Sequence, residues 1–71
     1  MTPSQLRAWG EALYGERWRS ELARSLRVDE RTVRRWAAGD YEPPEGVWGE
    51  LETLAKERRK TLAELIAQLR S

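Results

Sequence analysis

The sequence predicts an all-α domain of four or five helices, and three observations lead to that class. Apolar residues recur at intervals of three and four along nearly the whole chain, which is the period of an amphipathic helix. Glycine and proline stand at the borders of these segments, where helices start and stop. No segment has the alternating pattern of a strand. The 71 residues are enough for one domain, so residues 1–71 are treated as a single unit.

The first helix is predicted from its two ends. Thr2 is a good N-cap, Pro3 suits the first helical position, and Gln5 has the spacing of a capping box with Thr2. Gly15 is placed as the stop, and Gly10 is a small residue that would let another helix approach closely. The buried side repeats at helical spacing, at Leu6, Trp9 and Leu13.

Two short helices follow, with a tight break between them. The second should span about 17–26, and its apolar stripe consists of Trp18, Leu22, Ala23 and Leu26. After a break at 27–28, Asp29 is the predicted N-cap of a third helix over 30–38, which Gly39 ends. Its inward residues are Val33 and Trp36.

The last helical segment, 44–70, follows a loop at 39–44, because Pro43 pushes Glu42 out of helical conformation. Pro44 suits the start of this helix. Its first apolar side consists of Val47, Leu51, Leu54 and Ala55. Residues 56–60 contain no glycine or proline, so one long helix and two helices with a bend both fit. The stripe then continues at Leu62, Leu65, Ile66 and Leu69.

Composition argues against catalysis. The chain has neither histidine nor cysteine, which removes the commonest general base, the thiol nucleophile and the usual ligands of a structural metal. We therefore expect no enzyme activity, no metal and no cofactor. A chain this short has marginal stability and no disulfide, which favours support from a partner subunit.

The location expected from the sequence is the cytoplasm. No apolar run approaches the length of a membrane span, and the N-terminus lacks the apolar core of a signal peptide. The absence of cysteine is compatible with a reducing compartment.

Charge is unevenly distributed along the chain, although its net value is only +1. Residues 17–35 carry seven arginines against three acids, a net +4, whereas residues 36–57 carry one lysine against six acids, a net −5. Residues 58–71 carry four cations against one acid, a net +3. A chain polarised in this way can present one positive face to a polyanion.

Two helices joined by a tight turn, the second rich in arginine, are typical of a DNA-reading helix-turn-helix, here within 17–39. Residues 18–39, Trp-Arg-Ser-Glu-Leu-Ala-Arg-Ser-Leu-Arg-Val-Asp-Glu-Arg-Thr-Val-Arg-Arg-Trp-Ala-Ala-Gly, resemble the motif of the Cro/C1-type, λ-repressor-like proteins. The matching positions are Leu22, Ala23, Leu26, Val28, Asp29, Thr32, Val33, Trp36 and Gly39. The resemblance implies a motif core made by Leu22, Ala23, Leu26, Val28, Val33 and Trp36.

The chain departs from that family pattern at two positions. Arg27 stands where the family has a glycine with positive φ, which a non-glycine residue adopts at a cost of about 1–2 kcal/mol. Arg19 stands where the family often has glutamine, which changes the contact to DNA without removing it.

The resemblance places Arg31 and Arg34 in the major groove, with Glu30 beside them. Arginine can donate to guanine O6 and N7. Glu30 would accept a hydrogen bond from cytosine N4, or would repel phosphate and so exclude wrong sequences. Four further residues are candidates for phosphate contact, namely Arg17, Arg19, Arg35 and Tyr41.

Each of these assignments has a structural alternative. Any arginine here can belong to a solvated helix face, and Glu30 also favours a helix N-terminus. Tyr41 can be structural, and Trp18 and Trp48 can be core or interface residues. The stripe of Leu62, Leu65, Ile66 and Leu69 either completes the core of the monomer or pairs with a second copy.

The predicted function is a sequence-specific DNA-binding regulator, a homodimeric repressor that occludes a promoter at a palindromic site. One alternative is the antitoxin of a toxin–antitoxin pair, whose C-terminal helix would hold a toxin. Another is a protein-interaction module whose arginine helix binds an acidic partner.

Overall fold

The computed structural model describes residues 2–71, and its all-helical architecture confirms the predicted all-α class. Over that range the α-helices are α1, Pro3–Tyr14; α2, Trp18–Leu26; α3, Glu30–Ala38; and α4, Gly46–Arg70. A 3-10 turn, Gly15–Arg17, connects α1 to α2. Within the described chain no helix is both long enough and apolar enough to pass through a bilayer.

The start of α1 is built by the predicted capping box. The Gln5 backbone N–H donates to Thr2 Oγ1 at 3.1 Å, and the Thr2 N–H donates to Gln5 Oε1 at 2.9 Å. These two bonds satisfy backbone donors that the first helical turn leaves without partners. Gly15 ends the helix with a φ of 75°, as predicted.

Gly10 allows α2 to approach α1. A Cβ atom built on Gly10 would overlap the indole ring of Trp18, with the ring's Cδ2 atom at 2.5 Å. Trp18 is consequently one of the most deeply buried side chains, at 2% exposure. This settles its role as a core residue. Trp9 and Trp48 are half-buried and pack against the same core.

The core lies where α1, α2 and α3 meet the first turns of α4. Its buried members are Leu6, Leu13, Trp18, Leu22, Ala23, Val33, Trp36, Val47 and Leu51. Four of the six predicted motif-core residues belong to it, whereas Leu26 and Val28 are half-buried and pack against its edge.

The turn between α2 and α3 has the geometry that the position of Arg27 implied. Arg27 is left-handed, with φ 58° and ψ 42°, and Val28 N–H donates to the Ala23 carbonyl at 3.0 Å. Asp29 stands at the N-cap of α3 in extended conformation, as predicted, but its side chain makes no capping hydrogen bond. The backbone carbonyl of Asp29 instead accepts from Thr32 at 2.9 Å.

One uninterrupted helix, Gly46–Arg70, forms within the segment 44–70, which decides between the one-helix and two-helix arrangements left open. It begins at Gly46 rather than at Pro44, because residues 44–47 first form a turn in which Val47 N–H donates to the Pro44 carbonyl at 3.0 Å. Every residue from Lys56 onward is exposed. Leu62, Leu65, Ile66 and Leu69 therefore do not complete the core of the monomer.

The side chain of Arg58 connects α4 to the end of α1. Its guanidinium donates to the carbonyl of Leu13 in the last turn of α1 and lies over the ring of Tyr14, 5.3 Å from the ring centroid. A cation at a helix C-terminus satisfies a carbonyl that has no intrahelical partner and favours the negative end of the helix dipole.

Candidate nucleic-acid interface

The exposed face of α3 is formed by arginines. Val33 and Trp36 are buried on one side of this helix, and Arg31, Arg34 and Arg35 are exposed on the other. The separation follows from the helical period of 100° per residue. The structure therefore brings these three predicted site residues together on one face.

Arg31 and Arg34 have unengaged side chains. Within residues 2–71 neither forms an ion pair, a cation–π contact or a side-chain hydrogen bond. Their guanidinium groups are thus free to make planar, two-pronged contacts with an external acceptor. The backbone that carries them is fixed, because Val33 between them is fully buried at 0% exposure.

Glu30 is turned toward α2. Ser20 Oγ donates to Glu30 Oε1 at 3.1 Å, which joins the first turns of α2 and α3. Glu30 also occupies the first turn of α3, where a negative charge is favourable. One of its carboxylate oxygens is therefore already used inside the domain. Nothing in the sequence spacing had pointed to Ser20 as its partner.

Arg35 and Tyr41 form a second pair at the other end of α3. The Arg35 guanidinium carbon lies 5.7 Å from the centroid of the Tyr41 ring, and the ring is 60% exposed. Such stacking limits the rotamers of both side chains and leaves the N–H groups of the arginine accessible.

Arg17 and Arg19 flank the beginning of α2. Arg17 is exposed in the 3-10 turn, and Arg19 is half-buried, with its guanidinium 4.7 Å from the centroid of the Trp18 indole. Because Ser20 contacts Glu30, this end of α2 lies beside the first turn of α3. Neither arginine lies on the exposed face of α3, because Arg17 lines a surface depression with Tyr14 and Arg58, and Arg19 lines one with Arg7 and Glu11.

The described part of the chain offers little else for chemistry. Among residues 2–71 no three His, Cys, Asp or Glu side chains come together as metal ligands would. No protein-family model, curated protein or solved structure matches this chain. The exposed arginine face of α3 is therefore the candidate functional site.

Proposed function

We propose that this chain is a sequence-specific DNA-binding regulator of the Cro/C1-like helix-turn-helix type, acting as a homodimeric repressor. The observation that carries the proposal is the pair Arg31 and Arg34, exposed and unengaged on a short helix whose opposite side is locked in the core. A rigid helix with free guanidinium groups on one face fits the major groove, which admits an α-helix.

In this proposal Arg31 and Arg34 read bases. Each can donate two hydrogen bonds to O6 and N7 of a guanine, and each such contact contributes about 1–3 kcal/mol of discrimination. Glu30 is proposed to act beside these two arginines, at the edge of the base-reading surface. Its bond to Ser20 holds the carboxylate so that its other oxygen can accept from a cytosine amine or repel phosphate.

Phosphate contacts would come from residues outside the base-reading pair. Arg17 and Arg19 flank the start of α2, and Arg35 with Tyr41 lies near the end of α3. Contacts to phosphate set register and affinity without reading sequence. Contacts from both α2 and the end of α3 would fix the depth of α3 in the groove.

Repression would follow from occupancy alone. Two copies would place their α3 helices about 34 Å apart, one turn of B-DNA, on a palindromic site. A bound dimer on a promoter excludes polymerase, and no ligand or cofactor takes part in that step.

The first experiment is selection of bound duplexes from a random DNA pool at near-physiological salt. A two-fold symmetric motif with half-sites about one helical turn apart is the expected result. A single asymmetric half-site would retain DNA reading and remove the dimer. Salt-sensitive binding without any enriched sequence would overturn the proposal and favour a protein partner with acidic character.

A matched set of variants tests the division of labour on α3. Arg34→Ala should relax the preference at one base pair and cost about 1–3 kcal/mol on the selected site, because a base contact is lost. Arg35→Ala should weaken all sequences to a similar degree, because a phosphate contact is lost.

Arg24→Ala is the control for that set, since Arg24 is exposed on α2 and pairs with Glu21 at 3.9 Å. Competition binding over all single-base variants of the site separates the classes. Uniform weakening by Arg34→Ala would move this residue from the base readers to the phosphate contacts.

The uncovered end of α4 favours one second candidate, the antitoxin of a toxin–antitoxin pair. Its exposed leucines would hold the toxin, while the arginine face would still bind DNA. A stable complex with a toxin, formed by the wild type but not by Leu69→Glu, would support this candidate.

A further inference from the structure

The second half of α4 extends an apolar stripe beyond the body of the domain. Leu51 and Ala55 belong to the part that packs on the core. At 100° per residue, the same side continues through Leu62 and Ile66 to Leu69. Leu62, Leu65 and Ile66 are each 51% exposed, and Leu69 is 87% exposed.

A groove runs beside this stripe, between α4 and α1. It is lined by small side chains from both helices, which allow another helix to come close; they are Ala8, Ala12, Ala55 and Ala63. Larger apolar side chains also line it, namely Trp9, Leu62 and Ile66, together with the cations Arg58 and Arg59. Leu62 and Ile66 therefore belong both to the stripe and to the groove.

The amount of uncovered surface matches what one partner would remove. A compact monomer with the mass of this chain, 8.3 kDa, exposes roughly 4,600 Å². This chain exposes 5563 Å². The excess of roughly 1,000 Å² is close to the ~800 Å² that a standard interface covers on each partner.

The shape of the molecule agrees with this excess of exposed surface. The radius of gyration is 13.6 Å, against about 11 Å for a compact domain of this length. The molecule measures 48 × 22 × 21 Å, so its long axis is more than twice either of the others. The 25-residue α4 has a length of about 37 Å at 1.5 Å per residue, and its exposed second half accounts for this elongation.

We propose that a second copy of this chain covers this surface, with the exposed stripe of each copy lying in the α1–α4 groove of the other. A two-fold axis makes such a contact self-complementary, because each chain supplies one stripe and one groove. This inference rests on the proposed function and specifies how its homodimer forms. The exposed stripe, the groove and the elongated shape support it, and none of them involves the arginine face.

Charge selects an antiparallel arrangement of the two α4 helices. Arg58, Arg59 and Lys60 are consecutive cations, and a parallel pair would align them with the same three cations of the second copy. An antiparallel pair separates the two clusters along the helix axis and so removes this repulsion.

The register follows from matching the stripe to the groove. The groove is lined on α4 from Ala55 to Ile66, and the stripe runs from Leu62 to Leu69. Laid antiparallel, the second copy's Leu69 lies over Ala55, a large side chain on a small one. Leu62 then lies next to the two-fold axis and faces its own counterpart.

Sedimentation equilibrium without DNA tests the interface, so its outcome is separate from that of the DNA selection. Leu69→Glu probes the stripe, and Ala12→Glu probes the α1 side of the groove. Both positions are exposed, so the fold of the monomer should survive, as circular dichroism would verify. Burying a carboxylate in this mostly apolar contact, where Arg58 and Arg59 offset only part of its desolvation, should weaken the dimer at least ~10-fold in each variant.

Ala67→Glu is the matched control, because residue 67 lies on the opposite side of α4 and the change adds the same charge. It should change the dimer dissociation constant by no more than about threefold. A wild type that stays monomeric at ~100 μM would overturn the second copy as occupant, and so would equal weakening by all three variants. An Ala12→Glu dimer as tight as the wild type would remove the groove from the interface.

The chain has no cysteine, so single cysteines can report the orientation. Under mild oxidation Leu62→Cys should cross-link to its own counterpart, whereas Leu69→Cys should not. The double variant with Ala55→Cys and Leu69→Cys should cross-link as well. Efficient cross-linking of Leu69→Cys alone would indicate a parallel pair and overturn the proposed packing.

Discussion

Two glycines in helices of this protein have opposite consequences for stability. Gly10 in α1 lies against the indole ring of Trp18, with no room for even one methyl group. Gly49 in α4 has open space where the Cβ atom of an alanine would lie. A helical glycine otherwise costs about 1 kcal/mol relative to alanine. Substitution by alanine should therefore change the free energy of unfolding in opposite directions at the two positions.

Gly10→Ala should destabilise the domain by about 1–3 kcal/mol, because the new methyl group must displace a buried tryptophan. Gly49→Ala should stabilise it by about 0.5–1 kcal/mol, since only helix propensity changes. Urea denaturation of both variants at one chain concentration measures the difference. Stabilisation by Gly10→Ala would mean that the Trp18 ring is not held against α1.

At the residue scale, the sequence was informative wherever a signal is local. Thr2 and Gln5 are three residues apart, and their capping box formed as predicted. Arg27 was expected to adopt positive φ and does so at 58°. The bond from Ser20 to Glu30 was not predicted, because its geometry depends on how α2 and α3 pack.

At the scale of elements, Arg58 is the side chain that joins α4 to the end of α1. Its partners are the carbonyl of Leu13 and the ring of Tyr14, both more than forty residues away along the chain. A hydrogen bond from a charged group contributes about 1.5–3 kcal/mol. The sequence alone showed only three adjacent cations at 58–60, with no indication that one of them differs from the others.

Arg58→Ala should therefore lower the free energy of unfolding by about 1–3 kcal/mol, because the Leu13 carbonyl loses a donor that water replaces only in part. Lys60→Ala is the control, since Lys60 is exposed and has no ion pair or hydrogen bond within residues 2–71; its effect should stay within about 0.5 kcal/mol. Thermal unfolding at equal chain concentration compares them. Equal effects would show that Arg58 contributes only its charge.

The borders of the helices were largely predictable, whereas the surroundings of α4 were not. Gly15 and Gly39 end α1 and α3 as their placement indicated. An apolar stripe has the same spacing whether its partner lies in the same chain or in another one. For that reason the sequence left two roles open for Leu62 to Leu69, and the exposure of these residues removed one of them.

At the scale of the whole molecule, the number of arginines assigned to phosphates predicts how strongly DNA binding depends on salt concentration. Arg17, Arg19 and Arg35 are the arginines assigned to phosphates, which gives six in the proposed dimer. Each neutralised phosphate releases counterions and contributes about −0.9 to the slope of log K against log salt. The acids that surround α4 make no such contribution.

The slope for the wild-type dimer on its selected site should therefore be about −5. Arg17→Ala should make it shallower by about 2, because each dimer loses two phosphate contacts. Fluorescence anisotropy titrations between about 50 and 300 mM salt measure the slope for the wild type and for the variant. A slope that Arg17→Ala leaves unchanged would take this residue out of the interface.

Because α4 is uninterrupted, the number of residues between its two halves determines the direction in which its distal leucines face. Leu51 in the core and Leu69 at the exposed end share one side only because every residue between them turns the helix by the same 100°. One residue inserted near Lys60 would turn the distal leucines by that angle away from the groove and leave the core unchanged. Four inserted residues, slightly more than one full turn, would nearly restore the alignment and move the stripe outward by about 6 Å.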